Sequence, residues 1–178
     1  SSRGGVVNDL LCGGPGRDRL RGGPGDDLLS GGSQRDRLFG SHDADELYGG
    51  TQADFLVGDA DDDLLVGGLH DDVLYGGNGA DRLLGNQGND VLHGDAGADE
   101  MYGGTGRDTL RGGPDGDRVS GQRGDDHLYG DGGDDEVRGG RGDDEVDGGE
   151  GTDTLNGGTG TDTCLEGEVG LRSCEIIS

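Results

Sequence analysis

The chain has no tryptophan and no lysine, and aromatics make up only 3 % of it. Hydrophobic residues reach 27 %, too little apolar surface for an ordinary globular core to offset the entropy of ordering a chain of 178 residues. No apolar run approaches the length that spans a bilayer, and no signal-peptide pattern opens the sequence. Membrane insertion is therefore not expected. All 14 basic residues are arginine, against 39 aspartates and glutamates, for a formal net charge of -25. Such acidity argues against nucleic acid and anionic membranes as partners and favours cations. By composition alone the chain reads as disordered. Only strict periodicity, or a counter-ion in place of the missing core, allows such a chain to fold.

The periodicity is there. Stepping by nine from Gly4 divides residues 4–165 into 18 units without insertion or deletion. Position one is Gly in 18 of 18 and position six is Asp in 18 of 18. Position eight is Leu, Val or Met in 17 of 18, and Cys164 is the exception. Gly stands at position two in 12 units and at position four in 11. The first six residues, as in GGNGAD (76–81), read as a turn, because glycine reaches positive φ without a Cβ clash. The last three, as in RLL (82–84), read as a short strand with its middle side chain turned inward. One inward aliphatic residue per unit makes a thin core that becomes continuous only on stacking.

This pattern resembles the RTX, or haemolysin-type, calcium-binding nonapeptide GGxGxDxUx, a known solenoid repeat. The resemblance implies an all-β parallel β-roll, a β-solenoid of 18 nonapeptides with two units per coil and about nine coils. Odd units would form one sheet and even units the other. Strand spacing then gives a rod about 40 Å long. Residues 1–165 form the roll in this reading, and 166–178 a C-terminal cap.

An aspartate every nine residues puts one carboxylate in every turn, and residues 18 apart stack, as Asp72, Asp90 and Asp108 do. Like charges about 5 Å apart repel, so a folded form without metal is costly. A hard dication between coils removes that cost. Calcium accepts six to eight oxygens from carboxylates and carbonyls, whereas magnesium demands a small octahedron. The resemblance implies calcium between same-side turns, held by turn carbonyls and by Asp9, Asp18, Asp27, Asp36, Asp45, Asp54, Asp63, Asp72, Asp81, Asp90, Asp99, Asp108, Asp117, Asp126, Asp135, Asp144, Asp153 and Asp162. The nominal capacity is about 16 ions. Zinc is not expected, because His42, His70, His93 and His127 occupy unrelated slots. Units four to eight carry Gln34, Asp43, Gln52, Asp61 and His70 where glycine stands elsewhere. The weakest occupancy or most altered turn geometry is therefore expected between residues 31 and 72.

Other readings carry less. No nucleophile–base pair or pocket-forming segment interrupts the repeat, so no enzyme is expected. The RGD triplets 123–125 and 141–143 follow automatically from Arg at position three of a repeat with Gly and an acidic residue next. Tyr48, Tyr75, Tyr102 and Tyr129 recur every 27 residues, which alternates them between the two sheets. A sugar-binding row of tyrosines would need multiples of 18.

Calcium-dependent folding and three cysteines fit a secreted, extracellular or cell-surface setting. Cys12 and Cys164 lie near opposite ends of the rod, too far apart to bond. Cys164 and Cys174 can pair, stapling the segment EGEVGLRSCEIIS (166–178) over the last coil. Cys12 is then unpaired within the chain, and could join an upstream cysteine, link chains or stay reduced. Only Ser1, Ser2 and Arg3 precede the first unit, too few for a cap. The favoured function is an extracellular calcium-binding structural module: a rigid spacer, surface or matrix component that folds on binding calcium. The alternatives are the C-terminal folding and secretion tail of a larger type I secreted enzyme, toxin or adhesin, and a subunit of a calcium-dependent end-to-end fibre joined through the uncapped N-terminal coil.

Overall fold

A computed structural model describes residues 1–165. The segment 166–178, with its expected capping role, Cys174 and the expected Cys164–Cys174 disulfide, lies outside the described residues. Within them the chain is all strand and turn, and no helix is long and apolar enough to cross a membrane. Nineteen strands form two parallel sheets, one of ten strands and one of nine, with successive strands alternating between them. Partners are 18 residues apart: Leu83 pairs with Leu65 on one side and Met101 on the other. Each nonapeptide thus meets the equivalent residues of the units two before and two after it, as the repeat predicts.

The core is the predicted one. Position eight points inward throughout, and from Leu20 to Val146 these side chains are at most 1 % exposed. Burial of one such leucine contributes roughly 1.5–3 kcal/mol, so the stability of the roll grows coil by coil. Cys164 continues the column, pairing in register with Val146 and packing half-buried against the core. Cys12 occupies an outward position, exposed and free.

The strands are longer than the repeat pattern suggests. They typically run six residues, from position seven through position three of the next unit, as in Leu28–Ser33 and Arg82–Gln87. The glycines that look like turn residues therefore split into two groups. Position-two residues have positive φ almost without exception, and six of them are not glycine: Ser41, Asp59, Asn86, Asp95, Gln122 and Asp131. Position-one glycines lack positive φ and, apart from Gly4 and Gly148, lie inside strands. Their requirement is spatial: a Cβ on Gly31 would sit 2.6 Å from Asp36 Oδ2 and 2.7 Å from the Gly49 carbonyl oxygen. The pairing register skips this residue, jumping from Leu84 to Asn86 opposite Tyr102 and Gly104. The chain bends there, bringing the turn carboxylate over the glycine.

Candidate metal centres in the turn columns

Two columns of aspartates run the length of the roll, one along each side. From Asp27 onward the position-six side chains are almost wholly buried, Asp108 at 0 %. Each carboxylate divides its work. Its Oδ1 accepts the backbone N–H of the aspartate one coil earlier on the same side, as in Asp54 to Asp72 and Asp72 to Asp90, both at 2.7 Å. This ladder is unbroken, with 16 such bonds of 2.7–3.1 Å from Asp9–Asp27 to Asp144–Asp162. The other oxygen, Oδ2, is buried without a partner in 15 of the aspartates, including Asp36, Asp72 and Asp162.

A buried, unpartnered anionic oxygen is costly, and a column of them is more so. Burial pushes the Asp63 and Asp72 carboxyls up to about 8; the backbone N–H opposes the shift, and neighbouring carboxylates add to it. By the same causes Asp45, Asp54, Asp99, Asp108, Asp117 and Asp126 rise to about 7. Asp81, Asp90, Asp135 and Asp144 rise to about 6, and Asp27 and Asp36 are also raised. Near neutral pH these sites want a proton or a cation.

The surroundings fit a hard cation. Beside most of the bare Oδ2 atoms, the position-one carbonyl of the next coil turns toward the same spot. A Cβ on Gly49 would lie 2.7 Å from Asp54 Oδ2 and 2.6 Å from the Gly67 carbonyl oxygen. The donor set is all oxygen, and among the described residues no three His, Cys, Asp or Glu side chains converge on one point. One or two carboxylates with several backbone carbonyls is a calcium-type environment, not a zinc one.

The ends depart from this. Asp9 Oδ2 accepts the Gly5 N–H at 2.5 Å, and Asp18 is partly open and lies 3.5 Å from the N-terminal amine. Neither they nor Asp153 carries a buried unpartnered Oδ2. Turn geometry does change between residues 31 and 72 as expected, but the turn at Asp115 and Gly116, outside that range, departs as well, with no positive φ. Gln34, Asp43, Gln52, Asp61 and His70 adopt φ of 69–78°, whereas position-four glycines lie at 112–146°. Acidic residues there compensate: Asp43 Oδ2 accepts the Gly25 N–H and Asp61 Oδ2 the Asp43 N–H, at 2.9 and 3.1 Å.

A second ladder leaves no clear mark in the repeat pattern. Position-five Asp and Asn side chains accept the backbone N–H of position five one coil later, as in Asp62 to Ala80 and Asp71 to Asn89. It runs opposite to the position-six ladder. The aspartates of both RGD triplets belong to it: Asp125 accepts the Asp143 N–H and Asp143 the Thr161 N–H. These carboxylates are structural, in keeping with the repeat origin of the triplets.

The fold and its turn columns define a class, the parallel β-solenoids whose turns present stacked carboxylates and carbonyls to cations. The family model for the RTX calcium-binding nonapeptide repeat, in four copies, matches in overlapping segments from residues 3–38 to 129–164. The chain belongs to that family, and its repeats form a calcium-binding β-roll. No curated protein matches the chain.

Proposed function

We propose that this chain is an extracellular structural module, ordered by calcium and acting as a rigid spacer, surface or matrix component. Its role is one of binding and architecture rather than catalysis. The observation that carries the reading is the set of 15 buried Oδ2 atoms without a partner along both sides of the roll, most of them beside a backbone carbonyl of the next coil. Asp27 to Asp162 would hold the ions, with about 16 as the upper bound on their number. Calcium supplies positive charge between stacked carboxylates, and because it binds only the folded form, its concentration sets stability. Millimolar calcium outside cells suits such a switch, and a Cys164–Cys174 staple suits an oxidising setting. Small-angle X-ray scattering tests this: calcium should convert an expanded coil into a rod about 40 Å long. A compact rod of that length in chelator would overturn it.

A second reading rests on the first coil. Val6, Leu10 and Val7 are 78, 69 and 64 % exposed, and among the described residues the Leu10–Pro15 strand has a partner on one side only. In this reading a further strand seated on that edge comes from a longer chain carrying a secreted effector or from a second copy in an end-to-end fibre. Exposed Cys12 lies on the same strand. Non-reducing electrophoresis with calcium distinguishes linked chains from a monomer with a free thiol.

A further inference from the structure

The outer faces of the two sheets differ in charge. On the nine-stranded sheet acids and bases mix, with Arg82 against Glu100, and Glu136 between Arg118 and Arg138. On the ten-stranded sheet, outward positions seven and nine hold no carboxylate from Arg3 to Tyr129. Glu145 and Asp147 are the first to appear there. Arg3, Arg19, Arg21 and Arg37 gather at one end of this face. None of them is ion-paired to a carboxylate among the described residues, in a chain with 39 acidic residues. Arg17 and Arg35 line a cleft beside Arg37 and Phe55, together with turn aspartates including the exposed Asp71.

The same face carries a continuous row of rings. Phe39 lies 6.1 Å from Phe55, Phe55 5.8 Å from Tyr75, and Tyr75 4.7 Å from His93. Arg19 caps the row over Phe39 at 5.0 Å, and beyond it Arg111 lies over Tyr129 at 4.5 Å. The tyrosines do alternate between sheets, but the 18-residue register brings Phe39, Phe55 and His93 into line with Tyr75.

We propose that this face binds a linear acidic polysaccharide lying along the rod axis. Guanidinium groups match carboxylate and sulfate oxygens in paired hydrogen bonds, and the row of rings offers apolar contact to the C–H faces of sugars. The face is straight, and its outward positions seven and nine stay free of carboxylates through Tyr129, although Asp59, Asp95 and Asp131 flank them on the same strands and Asp131 pairs with Arg111 at 3.0 Å. The arginine-rich end from Arg3 to Arg37 is therefore where a polyanion would seat. Single-stranded nucleic acid is the competing polyanion, and oligo-dT tests for it.

The test is binding of the calcium-loaded full chain to a heparin oligosaccharide and to an oligogalacturonate, with neutral dextran and oligo-dT alongside. Saturable binding to either polyanion is expected, weakening with salt. The pair Arg19→Gln and Arg37→Gln should weaken it about tenfold or more. The pair Arg118→Gln and Arg138→Gln, with the same charge change on the opposite sheet, should leave it unchanged. Circular dichroism in calcium confirms that both variants fold. Preference between the two probes identifies sulfate or carboxylate as the recognised anion. Binding to neither, equal loss in both variants, tighter binding of oligo-dT, or a face that only pairs with a second copy in sedimentation would each overturn the proposal.

Discussion

Asp72→Asn separates the two tasks of a turn carboxylate. Asp72 Oδ1 accepts the Asp54 N–H at 2.7 Å, while Oδ2 is buried and unpartnered. Burial first, then the neighbouring Asp90, Asp54 and Asp71, push the carboxyl up to about 8. Asparagine keeps an acceptor for the ladder and deletes the charge. In calcium the substitution removes an anionic ligand. A site held at a hundredfold its Kd contributes about 2.7 kcal/mol, so roughly that much is lost per site emptied. In chelator the sign reverses, because no charge is left buried and the folded form gains. Asp72→Ala differs in chelator: it also orphans the Asp54 N–H, at a cost of about 1–3 kcal/mol. The assay is urea unfolding followed by circular dichroism at pH 8, in calcium and in chelator, with trimethylamine oxide to populate the fold. Equal destabilisation by Asp72→Asn in both media, or Asn and Ala behaving alike in chelator, would refute the reasoning.

Leu83→Ala, at a position 0 % exposed between Leu65 and Met101, should cost about 2–5 kcal/mol in urea unfolding of the calcium form, whereas Arg82→Ala stays within about 0.5 kcal/mol. Gly31→Ala should cost about 1–3 kcal/mol and weaken calcium binding, because its Cβ would meet Asp36 Oδ2 and the Gly49 carbonyl oxygen; calcium titration of the variant measures both effects. The buried carboxyls also set a pH dependence. Their folded values, about 6 to 8 for Asp45 through Asp144, lie above the ordinary 3.8, so folding without metal takes up protons. Stability of the metal-free fold is greatest below about pH 4 and is lost as pH rises toward about 8. Calcium affinity runs the other way, falling as pH drops through that range, since protons compete for the same oxygens; titrations at pH 5.5 and 8 check both trends.

Much of this fold is legible because every coil repeats one rule. The Asp at position six and the aliphatic residue at position eight fix the turn columns and the core, and the 18-residue pairing of strands follows. Glycine conceals two things. Its permissiveness makes GGx read as turn, yet these residues extend the strands, and Gly31 is required for space rather than for φ. The position-five ladder is invisible in the sequence because Asp62, Asp71 and Asp125 look like ordinary solvated acids until the coils are stacked. The turn at Asp115 and Gly116 is a further departure: neither residue takes positive φ, although the flanking position-four residues on that side, Gly97 and Gly133, do. The ring row is equally hidden, because the tyrosines alone alternate between sheets and it takes Phe39, Phe55 and His93 to complete a line.

On the proposed function, calcium and not the leucine column alone makes this chain fold. Circular dichroism during calcium titration of the chelated protein at pH 8 tests this most directly. The expected result is a cooperative coil-to-β transition that chelator reverses and magnesium does not reproduce. A full β-signal in chelator at that pH, unchanged by added calcium, would contradict it.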